Sequence, residues 1–472
     1  MAEISARKRI WGWMMFDWAS QPFYTLGLTF IFGPFFAEIA ADYFLNEGFA
    51  PEAAKARAQA TWSTALTLIG IFIAFTAPVL GAIADTRDRR IPWMILFSVI
   101  YIGGTWSLWY FVPGGSAITQ TLIAFGLAMI AAEYMLVFIN AMLPSLGTQD
   151  EMGDISGSGF ALGYAGGVLS LFIVLALFAE NGDSGRTLIG LAPALGLDPE
   201  AREGTRSVGP FIAIWYAVFI IPFFLWVKDS KPPRSTGTVG DALRTLGDSL
   251  RSAVRQSSLL AYLGSSMFYR DALNAFYGFG GVYAGLVLGW SITKIGVFGI
   301  IAAIAAAIFT WLGGKADKRF GPKPVVVFNV WLLILVAAVI VGMTRETLFG
   351  FALPQAPLAQ LPLLGPLGVA DAIMMVLGIV IGGAGGALQA ASRTLMARHA
   401  NPDRPAEAFG LYAFSGKATA FLAPGLIGIV TTVTESARYG LAPVVGLFIV
   451  ALILLRWVSP HGRKDAAAWS AS

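Results

Sequence analysis

Apolar stretches of about twenty residues recur along the whole chain, and they limit its fold more than any other feature. Each is long enough to cross about 30 Å of hydrocarbon as an α-helix. The spans read as 11–41, 62–84, 91–112, 118–143, 159–179, 210–227, 259–288, 292–312, 324–343, 369–391, 409–431 and 440–457. Helices are the expected state, because a bilayer offers no water to satisfy exposed backbone N–H and C=O groups. Composition agrees. Only 13% of the 472 residues are charged and 56% are hydrophobic, whereas a soluble domain carries about 25% charge. The expected fold class is an all-α polytopic membrane protein of about twelve transmembrane helices in two pseudo-symmetric six-helix halves.

Three segments need separate reading. Arg7, Lys8 and Arg9 precede the first apolar run. That run contains Asp17 and lacks a small-residue cleavage site, so it reads as a retained span rather than a signal peptide. The stretch 353–368 is apolar but broken by four prolines, and it is not counted as a span. The polar segment 228–258 divides a first half, 1–227, from a second, 259–472. Leu243, Leu246, Leu250 and Val254 follow a helical period within it, which predicts an amphipathic helix on the membrane face.

The Lys and Arg residues orient the chain. With the N-terminus inside, 22 fall in inside segments, 8 in outside loops and 2 within spans, accounting for all 32. This bias predicts both termini in the cytoplasm, in the inner (plasma) membrane. The absence of cysteine removes disulfides and thiolate chemistry, and two histidines leave little for a metal. No cofactor, metal or nucleic-acid partner is expected, and no P-loop or Ser/His constellation suggests an enzyme. The expected partners are the bilayer, a small-molecule substrate and protons, with the protein acting as a monomer.

The halves echo each other. Gly81 to Asp85, followed by Arg87, Arg89 and Arg90, closes the second span. Gly313 to Asp317, followed by Lys318, Arg319 and Lys323, closes the eighth. Internal repeats around a midplane site are a common plan of secondary transporters. Both loops resemble the signature loop of the major facilitator superfamily. The first departs from it at Asp88, where glycine is usual, and the second has one extra residue before Gly321. Five further strings are similar to the vacuole-effluxer family, including its bacterial "unknown major facilitator" branch. These are Phe16–Ser20, Phe138–Pro144, Ile155–Tyr164, Gly382–Arg393, and Phe409–Tyr412 with Gly416, Lys417 and Pro424. Arg270-Asp271-Ala272 departs from the Asp-Gly frequent in the family's seventh span.

This resemblance implies an alternating-access transporter whose first, fourth, seventh and tenth helices line the cavity. It also implies that Asp85 approaches the eleventh span near Phe409, and Asp317 the fifth near 156–159. Fungal members are associated with release of amino acids from the vacuole, which implies export.

An ionised side chain at the bilayer centre costs about 2.5–3.5 kcal/mol on insertion scales, so those present usually face a cavity or a partner. Arg270 lies about 16 Å into the seventh span, with Asn274 and Tyr277 on the same face. It reads as the holder of a substrate anionic group, or as one member of a pair with Asp271 or Glu133. Glu133, with Asn140 on its face, reads as a ligand for an ammonium or a coupling proton, or as a packing residue. Asp17, Ser20, Gln21 and Tyr24 share one face of an ideal helix. Gln21 and Tyr24 are substrate candidates, and Asp17 a gate or helix-pairing residue. The remaining gating candidates are Asp85, Arg89, Asp317, Arg319, Gln389, Arg393 and Lys417. Lys417 either pairs across the halves or snorkels to the interface. Gly378, Gly382 and Gly386 predict close helix packing.

The opposite charges of Glu133 and Arg270 suggest a zwitterionic solute such as an amino acid. A membrane sensor or assembly scaffold on the same fold is the alternative.

Overall fold

The computed structural model describes residues 4–87, 90–114, 117–142, 146–147, 149–182, 184–228, 240, 256–361, 365–399, 412, 415–416 and 418–460. The predicted amphipathic helix of 228–258, Arg89 and Lys417 lie outside the described residues. So do the side chains of Asp85 and Asn140, and Phe409, which Asp85 was expected to approach.

Among the described residues nine helices are long and apolar enough to cross a membrane. The seventh span, Ser257–Leu286, is also long enough at 30 residues but carries more polar groups. The last two spans are shorter apolar helices, Leu422–Thr434 and Tyr439–Leu455. The stretch rich in proline forms two small antiparallel hairpins, Thr347–Leu348 with Phe351–Ala352 and Ala359–Leu361 with Gly365–Leu367.

Three spans depart from the helices read off the apolar runs. The first begins as Ala6–Pro22, continues as a π-helical segment Phe23–Phe30, and resumes as Phe32–Asn46. Such π turns shift the register of everything beyond them and are frequent at functional sites. The second span begins at Pro51, eleven residues before its apolar run, with Glu52 in its first turn. The eleventh is interrupted: residues 419–421 are a turn, and a new helix starts at Leu422. Pro424 explains the interruption. It has no N–H to offer residue 420, and its ring opposes the carbonyl there.

Glycines set the closest helix approaches. A Cβ on Gly159 would lie 2.7 Å from Asp17 Oδ2, and one on Gly167 2.6 Å from Thr25 Oγ1, so the fifth span presses against the first. In the second half Gly378 packs on Phe298, Gly382 on the Ala302 carbonyl and Gly386 on Thr310. This glycine stripe gives the tenth span its tight contact with the eighth, as small residues do where helices meet in lipid.

The end of the bundle away from Ala6 and Leu455 is called the distal end below. Two buried carboxylates secure it. Glu180 Oε1 accepts from Arg202 Nε at 3.0 Å and from Thr205 Oγ1 at 2.6 Å, while Arg202 Nη1 also reaches Glu38 at 2.6 Å. Burial alone would lower the pKa of the Arg202 guanidinium. The two carboxylates outweigh burial and hold it above its ordinary value. Asp371 pairs with Lys294 at 2.8 Å and Arg345 at 3.3 Å, and accepts from Trp290 Nε1 at 2.5 Å.

Candidate functional site

The two halves meet along their first, second, fifth, seventh, eighth, tenth and eleventh spans, and the distal part of this seam is shut. Gln59 Nε2 of the second span donates to Thr431 Oγ1 at 2.7 Å and to the Ala437 carbonyl at 2.9 Å. Ser63 lies against Gly428, the Thr29 carbonyl against Gly281 and Phe30 against Gly299. Gln59 is fully buried. Sequence reading missed this latch, because Gln59 precedes the apolar run of the second span and looked like loop.

Nearer the termini the seam carries charge. Arg393 of the tenth span lies over the Phe160 ring of the fifth, 4.1 Å from its centroid. It is also within electrostatic reach of Asp17, Arg270 and Tyr412. Gln389, one turn away, is met by Tyr164 of the fifth span and Tyr277 of the seventh. Tyr164 is 43% and Phe160 41% exposed although both have partners in the opposite half. Asn274 is exposed too, between buried Leu273 and Ala275. The exposed surface therefore lies within the seam, which is accessible at this level and closed distally.

Arg270 donates from Nη1 to the Tyr412 carbonyl at 2.9 Å, and its guanidinium stacks 4.3 Å from the Tyr412 ring centroid. Gly416 leaves room beside it. The pairing of Arg270 with Asp271 or Glu133 considered above gives way to this contact with the eleventh span. Among the described residues it donates this one bond, which leaves most of the five guanidinium donors free of protein acceptors there.

Asp271 points the other way. It is 3% exposed, and its Oδ2 accepts from the Ala423 N–H at 2.9 Å. This N–H belongs to the first turn of Leu422–Thr434 and has no partner within its own helix. Asp271 is thus a cap for the interrupted helix and lies apart from the stripe of Arg270, Asn274 and Tyr277. Asp271→Ala is expected to lower stability by about 1–2 kcal/mol, the usual cost of losing a cap. Asp271→Asn keeps the acceptor and is expected to stay within about 0.5 kcal/mol of wild type. Thermal unfolding of both variants checks this, and equal melting of Asp271→Ala and wild type would refute the cap.

The polar residues of the first span meet two neighbouring helices. Asp17 and Gln21 lie against Gly159, Gly163 and Gly167 of the fifth span. Tyr24, near the start of the π segment, reaches the fourth span, where its hydroxyl donates to Glu133 Oε1 at 3.2 Å. Glu133 is buried, at 7% exposure. Gly159 has Asp17 and Trp13 as its nearest neighbours, while the side-chain surroundings of 156 and 157, which Asp317 was expected to approach, lie outside the described residues. Asp317 is itself buried, and Arg319 lies exposed over the neighbouring Phe320 ring.

Behind the site, Ser392 gathers three tyrosines. Its Oγ is 2.8 Å from the Tyr412 hydroxyl and 3.0 Å from that of Tyr262, and it also bonds Tyr269. The seventh, tenth and eleventh spans are thereby joined at the level of the two arginines. Ser392 was visible in sequence only as part of a motif. The tyrosines that converge on it come from distant segments, so spacing does not reveal the cluster.

These features define a transporter of the major facilitator type. The same fold is found in a D-xylose-proton symporter (TM-score 0.65, 13% identity, 97% of this chain and 98% of that one). It recurs in a bacterial homolog of the human lysosomal transporter Spinster in an inward-facing, unoccupied conformation (TM-score 0.61, 13% identity, 96% of each chain). The chain belongs to the family described as vacuole effluxer Atg22-like, whose profile matches residues 5–467. The uncharacterized MFS-type transporter YxiO of Bacillus subtilis (strain 168) is 22% identical over 465 residues, 96% of each chain. Autophagy-related protein 22 of Cryptococcus neoformans var. neoformans serotype D (strain B-3501A) is 24% identical over 326 residues. That match covers 67% of this chain and 54% of the fungal one, so the chain spans about half of its fungal relative. The protein is thus a multi-pass membrane transporter.

Proposed function

We propose that this transporter exports a small zwitterionic solute of the amino-acid class across the inner membrane, with both termini in the cytoplasm. The observation that carries the reading is the charge division across the seam. The first half contributes carboxylates, Asp17 and Glu133, with Tyr24 within electrostatic reach of both. The second contributes guanidinia, Arg270 and Arg393. A zwitterion placed between them meets donors for its carboxylate on one side and acceptors for its ammonium on the other. Each half then holds one end of the solute, which gives the solute a stake in how the halves rock. The description of the family as effluxers favours export, and the distribution of Lys and Arg favours the orientation. Asp17 and Glu133 are the groups able to carry a coupling proton.

A thermal-shift series on the purified protein tests this. Amino acids are compared with their amides, which lack the carboxylate, and with the deaminated acids, which lack the ammonium. A ligand that binds only the folded state at 100 times its dissociation constant adds about 2.7 kcal/mol of stability. Stabilisation by amino acids that fails with both kinds of derivative is the expected result. Stabilisation by neutral solutes alone would discard the zwitterion. Proton coupling predicts pH-dependent transport that flattens in Glu133→Gln or Asp17→Asn, and a flat wild-type profile would remove it.

A further inference from the structure

On the outer flank of the bundle, a groove of about 790 Å³ runs between the second, fourth and eleventh spans. Its walls include Leu68, Phe72, Ile123 and Leu127, 63%, 50%, 58% and 48% exposed. Its threonines add little polarity. Thr61, Thr64 and Thr432 donate their hydroxyls to the carbonyls of Arg57, Ala60 and Gly428 in their own helices, so their methyl groups remain to line the groove. Charge is confined to the distal mouth, where exposed Arg57 and Glu435 stand on opposite halves of the protein. Arg57 is held over the Phe49 ring, 3.9 Å from its centroid.

We propose that this groove seats one zwitterionic phospholipid of the distal leaflet. The apolar trough lies along membrane-crossing helices, where acyl chains are the available filling. A headgroup at the mouth would set its phosphate against Arg57 and its ammonium against Glu435. The volume falls within the range of small-ligand sites. Thr431 both lines the groove and accepts the latch bond from Gln59. The seated lipid therefore covers the latch and touches both halves, bracing the distally closed state.

Native mass spectrometry of the full chain, stripped of lipid in detergent, tests the seat. The probes are a phospholipid with a primary ammonium, an anionic phospholipid and a diacylglycerol without a headgroup. The zwitterionic lipid is expected to bind one per chain and about tenfold more tightly than the other two, as charge-assisted contacts at the mouth imply. Arg57→Gln/Glu435→Gln, at exposed positions, should erase that preference, and Leu127→Trp should weaken all three lipids. The chain has no cysteine, so spin labels attach only at Glu52→Cys and Thr434→Cys. Adding the zwitterionic lipid should shift their distances toward the closed distribution. Equal binding of diacylglycerol, a preference for the anionic lipid, or unchanged selectivity in the double glutamine variant would each overturn the proposal. So would a label distance indifferent to lipid.

Discussion

Arg270→Ala is expected to remove the ligand-induced thermal shift while leaving the ligand-free melting temperature close to that of wild type. The guanidinium makes one bond to the Tyr412 carbonyl and a stacking contact with its ring. Both lie within the second half, where the Ser392 cluster already ties the same helices together. The loss to folding is therefore small. The loss to binding is not. A hydrogen bond to a charged partner contributes about 1.5–3 kcal/mol, which corresponds to about 10- to 150-fold in affinity. Arg270→Lys keeps the charge but not the planar fork, so it should recover only part of the binding. Arg393→Ala tests the second guanidinium, and a comparable loss there would place both on the ligand. Binding unchanged in Arg270→Ala would make this residue a helix-pairing element and shift the anion site elsewhere.

Asp371→Ala is expected to produce the largest loss of stability, about 3–5 kcal/mol, by stranding a buried cation. Lys294 keeps only 7% of its side chain exposed, and its remaining acceptor is the Pro366 carbonyl at 3.4 Å. Arg345 is 49% exposed and can turn to water, so Lys294 dominates the cost. The carboxylate also accepts from Trp290 and from the Gly368 N–H. It thereby joins the loop after the seventh span and the eighth span to the start of the tenth. Removing both charges in Asp371→Ala/Lys294→Met should recover part of the loss, since an apolar pair leaves no buried ion unpaired. Thermal or denaturant unfolding distinguishes these variants, and a single mutant as stable as wild type would show the pair to be dispensable.

The helical, two-half plan was legible because hydrocarbon thickness imposes a minimum apolar run, and repeated loops such as Gly81 to Asp85 and Gly313 to Asp317 mark the halves. Arg270, Gln389 and Arg393 drew attention for a related reason: a polar group inside an apolar run stands out. The interruption of the eleventh span had a sequence mark in Pro424, but its cap did not, because Asp271 lies about 150 residues away in sequence. Gln59 was hidden since the second helix extends beyond its apolar run, and polar residues there look like loop. The π turn at Phe23–Phe30 follows Pro22, a mark that a long apolar run hides. Tyr24 within it meets Glu133 of the fourth span, whereas Asp17 and Gln21 meet glycines of the fifth.

The interrupted eleventh span has a mechanical consequence. Its distal piece, Leu422–Thr434, is 13 residues, a rod of about 19 Å. One end is pinned by Asp271, the residue next to Arg270, and near the other end Thr431 receives Gln59 from the opposite half. A tilt of the seventh helix would therefore act on this rod at its Asp271 end and reach the Gln59 contact at the other. The turn at 419–421 sets this rod apart from Tyr412 and the Ser392 cluster, to which the Leu422 N–H bond to the Thr419 carbonyl still leads.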